Sequence, residues 1–206
     1  METVPRPRAK RPPLGVPLTR AEAHALLASA TGDPRVYTII ATFLATGLRL
    51  SELRALRVGD IDSNAGLLEV RCGKGGKPRV VQLGQRHLRL LRRYWAVLRP
   101  PGPWVFPAQR MLRPFQVDPD HRSADHPIAA TTVQGLLLKQ AAAAGLRRKV
   151  RPHDLRRTFG TWLMEDGVEV RVIQELLGHG SPDTTARYIR VHPDLIRTVP
   201  SPLDML

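Results

Sequence analysis

The sequence predicts an α+β fold, mostly helical with one small antiparallel sheet, built as a single domain. Three observations lead there. Capped runs with apolar residues at helical spacing dominate both ends, two short β-type runs flank a glycine-rich turn in the middle, and 206 residues suffice for one well-filled core. No internal repeat interrupts this pattern.

Residues 1–17, rich in proline and cations and without apolar periodicity, read as an extended tail, either lying on phosphate or simply solvated. Order is expected from Leu18. Thr19 with Glu22 forms a capping box for a helix to about Ala30. Asp33 and Pro34 supply an N-cap and a first-turn proline for a second helix, which Gly47 stops after Thr46. From Val58 the turn signals Gly-Asp and Asn-Ala-Gly precede a strand over Leu67–Arg71. A second strand, Arg79–Leu83, follows Gly-Lys-Gly-Gly-Lys, whose Lys74 and Lys77 sit at the tip of a hairpin.

Gln85–Leu98 reads as a helix broken by the prolines of 100–107, and the polar stretch 109–126 as a surface loop. Thr131 and Gln134 predict a capped helix to Gly145, and the remainder is helical with breaks at Gly167, Gly178 and Pro193. The expected organisation is a tail (1–17), a domain (18–190) and a C-terminal tail (191–206).

A net charge of +14 and a pI near 11.3, carried almost wholly by arginine, fit a polyanionic partner, and nucleic acid leads. GC-rich codon usage is the competing explanation for the arginine. Clusters of charge nominate Lys77, Arg79, Arg147, Arg148, Lys149 and Arg151 as phosphate contacts. Cys72 is the single cysteine, which excludes an internal disulfide or a cysteine-based zinc cluster and fits a reducing cytosol. No apolar run approaches the roughly 20 residues of a membrane span, so a soluble cytoplasmic protein associated with the nucleoid is expected. His-Glu-x-x-His does not occur, and neither Asp-x-Asp pair, at 60–62 or 118–120, continues as a calcium loop.

Four segments carry a more specific signal. They are Ala-Thr-Gly-Leu-Arg-Leu-Ser-Glu-Leu at 45–53, Cys-Gly-Lys-Gly-Gly-Lys-Pro-Arg at 72–79, Pro-His-Asp-Leu-Arg-Arg-Thr-Phe at 152–159 and Leu-Leu-Gly-His-Gly-Ser-Pro-Asp-Thr-Thr-Ala-Arg-Tyr at 176–188. Their order and spacing resemble the tyrosine recombinase (phage integrase) family from about Leu18 to about Tyr188. The resemblance implies the family's mostly helical catalytic domain and a metal- and ATP-independent cutting and rejoining of DNA through a 3′-phosphotyrosine bond, with no cofactor.

The residues suit that chemistry. Breaking a phosphodiester requires charge stabilisation at the nonbridging oxygens, an aligned nucleophile and a proton for the leaving oxygen. Arg49, just past the Gly47 helix stop, and Arg156, three residues after His153 on one helix face, can grip one phosphate. An isolated arginine at either place is more often a surface residue. By resemblance the two stand where the family has its catalytic arginines, and His153 where it has the histidine between lysine and second arginine. Tyr188, nine residues after His179 with Asp-Thr-Thr between, matches the nucleophile segment. An arbitrary tyrosine is more often a buried aromatic. His179 either donates to the phosphate or caps a helix, and Lys74 stands at the family's general-acid lysine, with Lys77 a near alternative. Glu52 and Asp154 are read as partners that orient arginines.

The resemblance also implies a homo-tetramer on double-stranded DNA; off DNA a monomer is expected. Relatives carry an N-terminal helical domain that closes around DNA; here only residues 1–17 precede the catalytic part, so an accessory protein is expected to replace it. The end of the chain is similar to the tails of integron and insertion-element-linked integrases, and Leu195, Ile196 and Leu203 pack either on a neighbour or on their own domain. Arg157 and Gly180 stand where histidine and serine are common. The rival readings are a type IB topoisomerase, a non-catalytic DNA-binding regulator and, last, an RNA-binding protein, for which base-stacking aromatics are few.

Overall fold

The computed structural model of the protein describes residues 15–71, 78–99, 102–108, 111–113, 116–117, 126–178 and 199–206. Among them are seven α-helices, a three-stranded antiparallel sheet and a separate short two-stranded pair. None of these helices is long and apolar enough to cross a membrane.

α1 (Arg20–Ala28) begins at the expected capping box: Thr19 Oγ1 accepts from the Glu22 N–H at 3.1 Å, and Glu22 Oε2 accepts from the Thr19 N–H at 2.8 Å. The Asp33 carboxylate caps α2 (Pro34–Thr46) by accepting from the N–H groups of Arg35 and Val36, and Gly47 ends it at φ 59°. α2 is buried on every side, packed between α1, α4 (Gln85–Leu98) and α6 (Pro152–Glu165). Its threonines survive there because Thr38 and Thr46 return their hydroxyls to carbonyls one turn back, at 2.6 and 2.5 Å. A further short helix, α3 (Leu50–Arg54), lies outside the expected elements; Arg49 is its N-cap.

The sheet comprises β1 (Ile61–Asp62), β2 (Leu67–Val70) and β3 (Arg79–Gln82), paired antiparallel in that order. The register opposes Leu68 to Val81 and Val70 to Arg79, and these four residues form its buried face. Two expectations need correction. Part of the supposed polar loop pairs as β4 (Met111–Arg113) with β5 (Gln116–Val117). The helix α5 (Ala130–Ala143) starts at Ala129 without a side-chain cap. Thr131 is therefore already inside the helix, because the Ile128 N–H is bonded to Phe106 O at 2.9 Å and sets the chain's entry earlier. Gly145, Gly167 and Gly178 all adopt positive φ at the expected breaks.

Residues 15–18 lie along α6: the Leu18 N–H donates to Thr158 Oγ1 at 2.8 Å, Trp162 Nε1 donates to Leu18 O at 3.2 Å, and Arg157 donates to Gly15 O. At the other end, residues 199–206 fold back on their own domain. Leu203 is buried, and Arg86 bonds both Asp204 and Leu203 O. Leu195 and Ile196 lie outside the described residues.

His87 of α4 is fully buried, with Nε2 3.0 Å from Thr42 Oγ1 and, among the described residues, no partner for Nδ1. Burial lowers its pKa from 6.5 to about 3. Because the folded value is depressed, the unfolded chain binds the proton first. His87 therefore contributes stability that is complete above pH 6.5 and is lost as pH falls toward 3. Between pH 6.5 and 4.5 the expected loss is about 2–3 kcal/mol, at 1.36 kcal/mol per unit. Urea unfolding of wild type and His87→Gln across that window checks this; parallel pH curves for the two proteins would refute it.

Candidate active site

Four charged side chains from three distant segments meet where α3, β3, α6 and α7 (Val170–Leu177) converge. Glu52, with only 1% of its side chain exposed, is the hub. Arg49 Nη1 donates to its Oε1 at 2.6 Å, and the Arg49 N–H to its Oε2 at 2.7 Å. Arg79 binds the same carboxylate with both terminal nitrogens, at 2.8 and 2.7 Å. Arg156 Nη1 stands 3.9 Å from Oε2. This fork-on-fork geometry orients a guanidinium as well as attracting it.

The same arginines fasten the last turn of α7. Leu176 O accepts from Arg79 Nε at 2.7 Å, Leu177 O from Arg156 Nη2, and Gly178 O from Arg49 Nη2 at 2.9 Å. A helix leaves its final carbonyls without intrahelical partners, and three consecutive ones here are met by cations at the negative end of the helix dipole. Arg156 also donates to Gly47 O at 2.7 Å, joining α6 to the end of α2. Gly47 is required twice: its φ is +59°, and a Cβ would come 2.4 Å from Phe159 Cδ1. At Gly178, φ +60°, a Cβ would press on Arg79 Cδ at 3.1 Å.

Electrostatics follow from this packing. Burial pushes the Glu52 carboxyl up, but bonds from Arg79 and the Arg49 N–H, with the charge of Arg79, outweigh it and hold the pKa at about 2. Burial, then the neighbouring Arg49, lower Arg156 to about 10, with Glu52 opposing. Arg156 thus stays charged at neutral pH, and an incoming anion relieves the repulsion around it. The side chain of Arg49 is 25% exposed and offers the cluster's open edge.

The expected site residues divide as follows. Arg49 and Arg156 come together on Glu52 as an orienting carboxylate. His153, in the first turn of the same helix as Arg156, is exposed. Among the described residues Asp154 orients no arginine side chain; it accepts from the Arg151 N–H at 2.9 Å. Lys74, Lys77, His179 and Tyr188 lie outside the described residues, as does Gly180. Among the nominated phosphate contacts, Arg147, Lys149 and Arg151 are exposed. Arg148 instead donates to Val16 O, Pro17 O and Glu22, tying down the N-terminal run. Arg79 is not on the open surface either: it is 7% exposed and wholly engaged in the hub. Among the described residues no His/Cys/Asp/Glu group could hold a metal ion.

Comparison with known proteins identifies the family. The model of the Phage integrase family matches residues 17–194. The putative integrase/recombinase y4eF of Sinorhizobium fredii is 36% identical over the whole chain and 75% of its own length. The tyrosine recombinase XerA of Pyrococcus furiosus is 36% identical over 84% of the chain and 57% of its own length. A crystal structure of XerA recombinase superposes with a TM-score of 0.66 at 29% identity, covering 83% of this chain and 58% of that one. The chain thus spans three quarters of the first relative and a little over half of the other two. On the extent of the family match and the identity to y4eF, the chain belongs to the phage integrase family.

Proposed function

We propose that the chain is the catalytic part of a site-specific DNA recombinase that cuts and rejoins strands through a 3′-phosphotyrosine bond at Tyr188. The observation that carries the reading is the pair of guanidiniums, Arg49 and Arg156, fixed on Glu52 and on consecutive carbonyls of α7, next to the chain that leads to His179 and Tyr188. Two preorganised cations are what the nonbridging oxygens of a phosphodiester need as charge builds on them.

In this reading the Tyr188 phenol loses its proton, and its oxygen bonds to phosphorus as the bond from phosphorus to the 5′ oxygen breaks. Lys74 gives that leaving oxygen a proton, and His153 and His179 donate to the phosphate or move the phenol proton. The 5′-hydroxyl of a partner strand reverses the step, so bond energy is conserved. The substrate is double-stranded DNA, bound as a tetramer formed from monomers, with an accessory protein supporting site recognition; the work is done on cytoplasmic, nucleoid DNA. Exposed Arg147, Lys149 and Arg151, with Lys77, supply phosphate contacts.

The test is incubation with a nicked duplex carrying the joined ends of the element that encodes the chain. A covalent protein–DNA band on a denaturing gel that releases phosphotyrosine on acid hydrolysis is expected. Clear binding without a band would turn the reading to a non-catalytic regulator, and relaxation of supercoils by single chains without joining of two duplexes to a topoisomerase.

A further inference from the structure

We propose that Arg79 is a positioning residue of the phosphate clamp: by neutralising Glu52 from its buried side, it leaves Arg49 and Arg156 their charge for the reacting phosphate. The inference rests on the strand-transfer reading above and assigns a residue that its chemistry does not name.

The geometry gives the reasons. Glu52 must be anionic to hold Arg49 by side chain and backbone at once, yet an unneutralised carboxylate there would cancel one of the two charges that the phosphate needs. Arg79 faces the same two oxygens with both terminal nitrogens and is 4% exposed at its side chain, so its charge is spent inside the protein. The cluster of Glu52 with Arg49, Arg79 and Arg156 therefore carries two net positive charges. Attack of a phenolate on a phosphodiester monoanion brings the reacting centre to two negative charges. The charge of this cluster matches that of the reacting centre only with Arg79 present. Its third bond, from Nε to Leu176 O, holds it from swinging toward the open edge, where Arg49 stands. Gly178, whose Cβ would strike the Arg79 side chain, keeps that approach clear.

Charge alone nominates Arg79 as a phosphate contact, and the two roles differ in what they predict. The probe is the nicked duplex of the previous section, with the scissile phosphate either normal or a methylphosphonate, in which a neutral methyl replaces one nonbridging oxygen. Attack on the methylphosphonate develops one negative charge instead of two. Arg79→Gln leaves the cluster with one net charge. It is expected to slow adduct formation on the normal phosphate by roughly 100-fold, the lower end of the loss seen when one electrostatic stabiliser is removed. On the methylphosphonate the same variant should fall within about threefold of wild type, and the salt slope of noncovalent binding should not change. The ratio of the two rates is taken on one preparation, so any unfolded fraction cancels, and a general loss of structure would slow both substrates alike.

Equal slowing on both substrates overturns the assignment, as does a salt slope reduced by about one, which would mark Arg79 as a direct phosphate contact. Arg49→Gln separates the layers. If it shows the same rescue and Arg79→Gln does not, only Arg79 is misassigned. If Arg49→Gln is not rescued, the clamp falls and Arg79 with it; if wild type forms no adduct, the strand-transfer reading falls first.

Discussion

Tyr188→Phe is expected to bind DNA with wild-type affinity and to form no covalent adduct at all. The substitution removes a single oxygen, the atom that would bond to phosphorus, and leaves a ring of nearly the same shape. No other phenol is placed to take over. The chain has three tyrosines; Tyr37 is in α2, the helix packed in the core, and Tyr94 is 2% exposed with its hydroxyl donated to Val105 O at 3.0 Å. Burial pushes the Tyr94 phenol up to about 12, away from the phenolate that attack requires. Gel-shift titration alongside the denaturing-gel assay checks both halves of the expectation. An adduct formed by Tyr188→Phe would move the nucleophile elsewhere, and loss of binding would mean that the phenol serves the complex before chemistry.

Much of this architecture could be read from local signals. The capping box at Thr19, the Asp33-Pro34 start, the glycine stops and the two runs around the lysine turn are each made by neighbouring residues, and the structure keeps them. What escaped was short or distant. α3 has five residues, too few to display a helical period, although the three-residue spacing of Arg49 and Glu52 that fixes it was visible. At α5 the Thr131 signal lost to a long-range bond between Ile128 and Phe106.

Arg79 is the instructive case. Counted as a charge, it joins a basic cluster. Read by the two-residue period of a strand, it falls in step with Val81 and Leu83 and so on the inner face. The alternation was the better guide, because a guanidinium can be buried when a carboxylate is buried with it. That the carboxylate is Glu52, 27 residues away, and that Arg156 reaches Gly47 across 109 residues, are facts of tertiary packing alone. The arginines, and Glu52 as a carboxylate that orients them, could thus be named from sequence, but not that Arg79 shares that carboxylate.

Glu52→Gln should therefore damage both stability and chemistry, and a second substitution should repair only the first. The amide would keep the shape and lose the charge, leaving three guanidiniums together, two of them with side chains no more than 5% exposed. Removing one partner of a buried ion pair costs about 3–5 kcal/mol, because the remaining charge is uncompensated. Glu52 also has a folded pKa of about 2 against an ordinary 4.5, so its contribution is complete above pH 4.5 and fades as pH falls toward 2. Denaturant unfolding at pH 7 is expected to show the loss, and Glu52→Gln should lack the part of the wild-type acid destabilisation that falls below pH 4.5. Adduct formation should drop at least ~100-fold, since Arg49 loses the carboxylate that aims it. Adding Arg79→Gln restores the wild-type balance of two positive charges and removes the buried guanidinium left without its carboxylate. Part of the lost stability should then return, while Arg49 remains unaimed and the adduct rate stays low. If instead the two losses simply add, Glu52 and Arg79 are not energetically coupled, and their shared geometry has no thermodynamic weight.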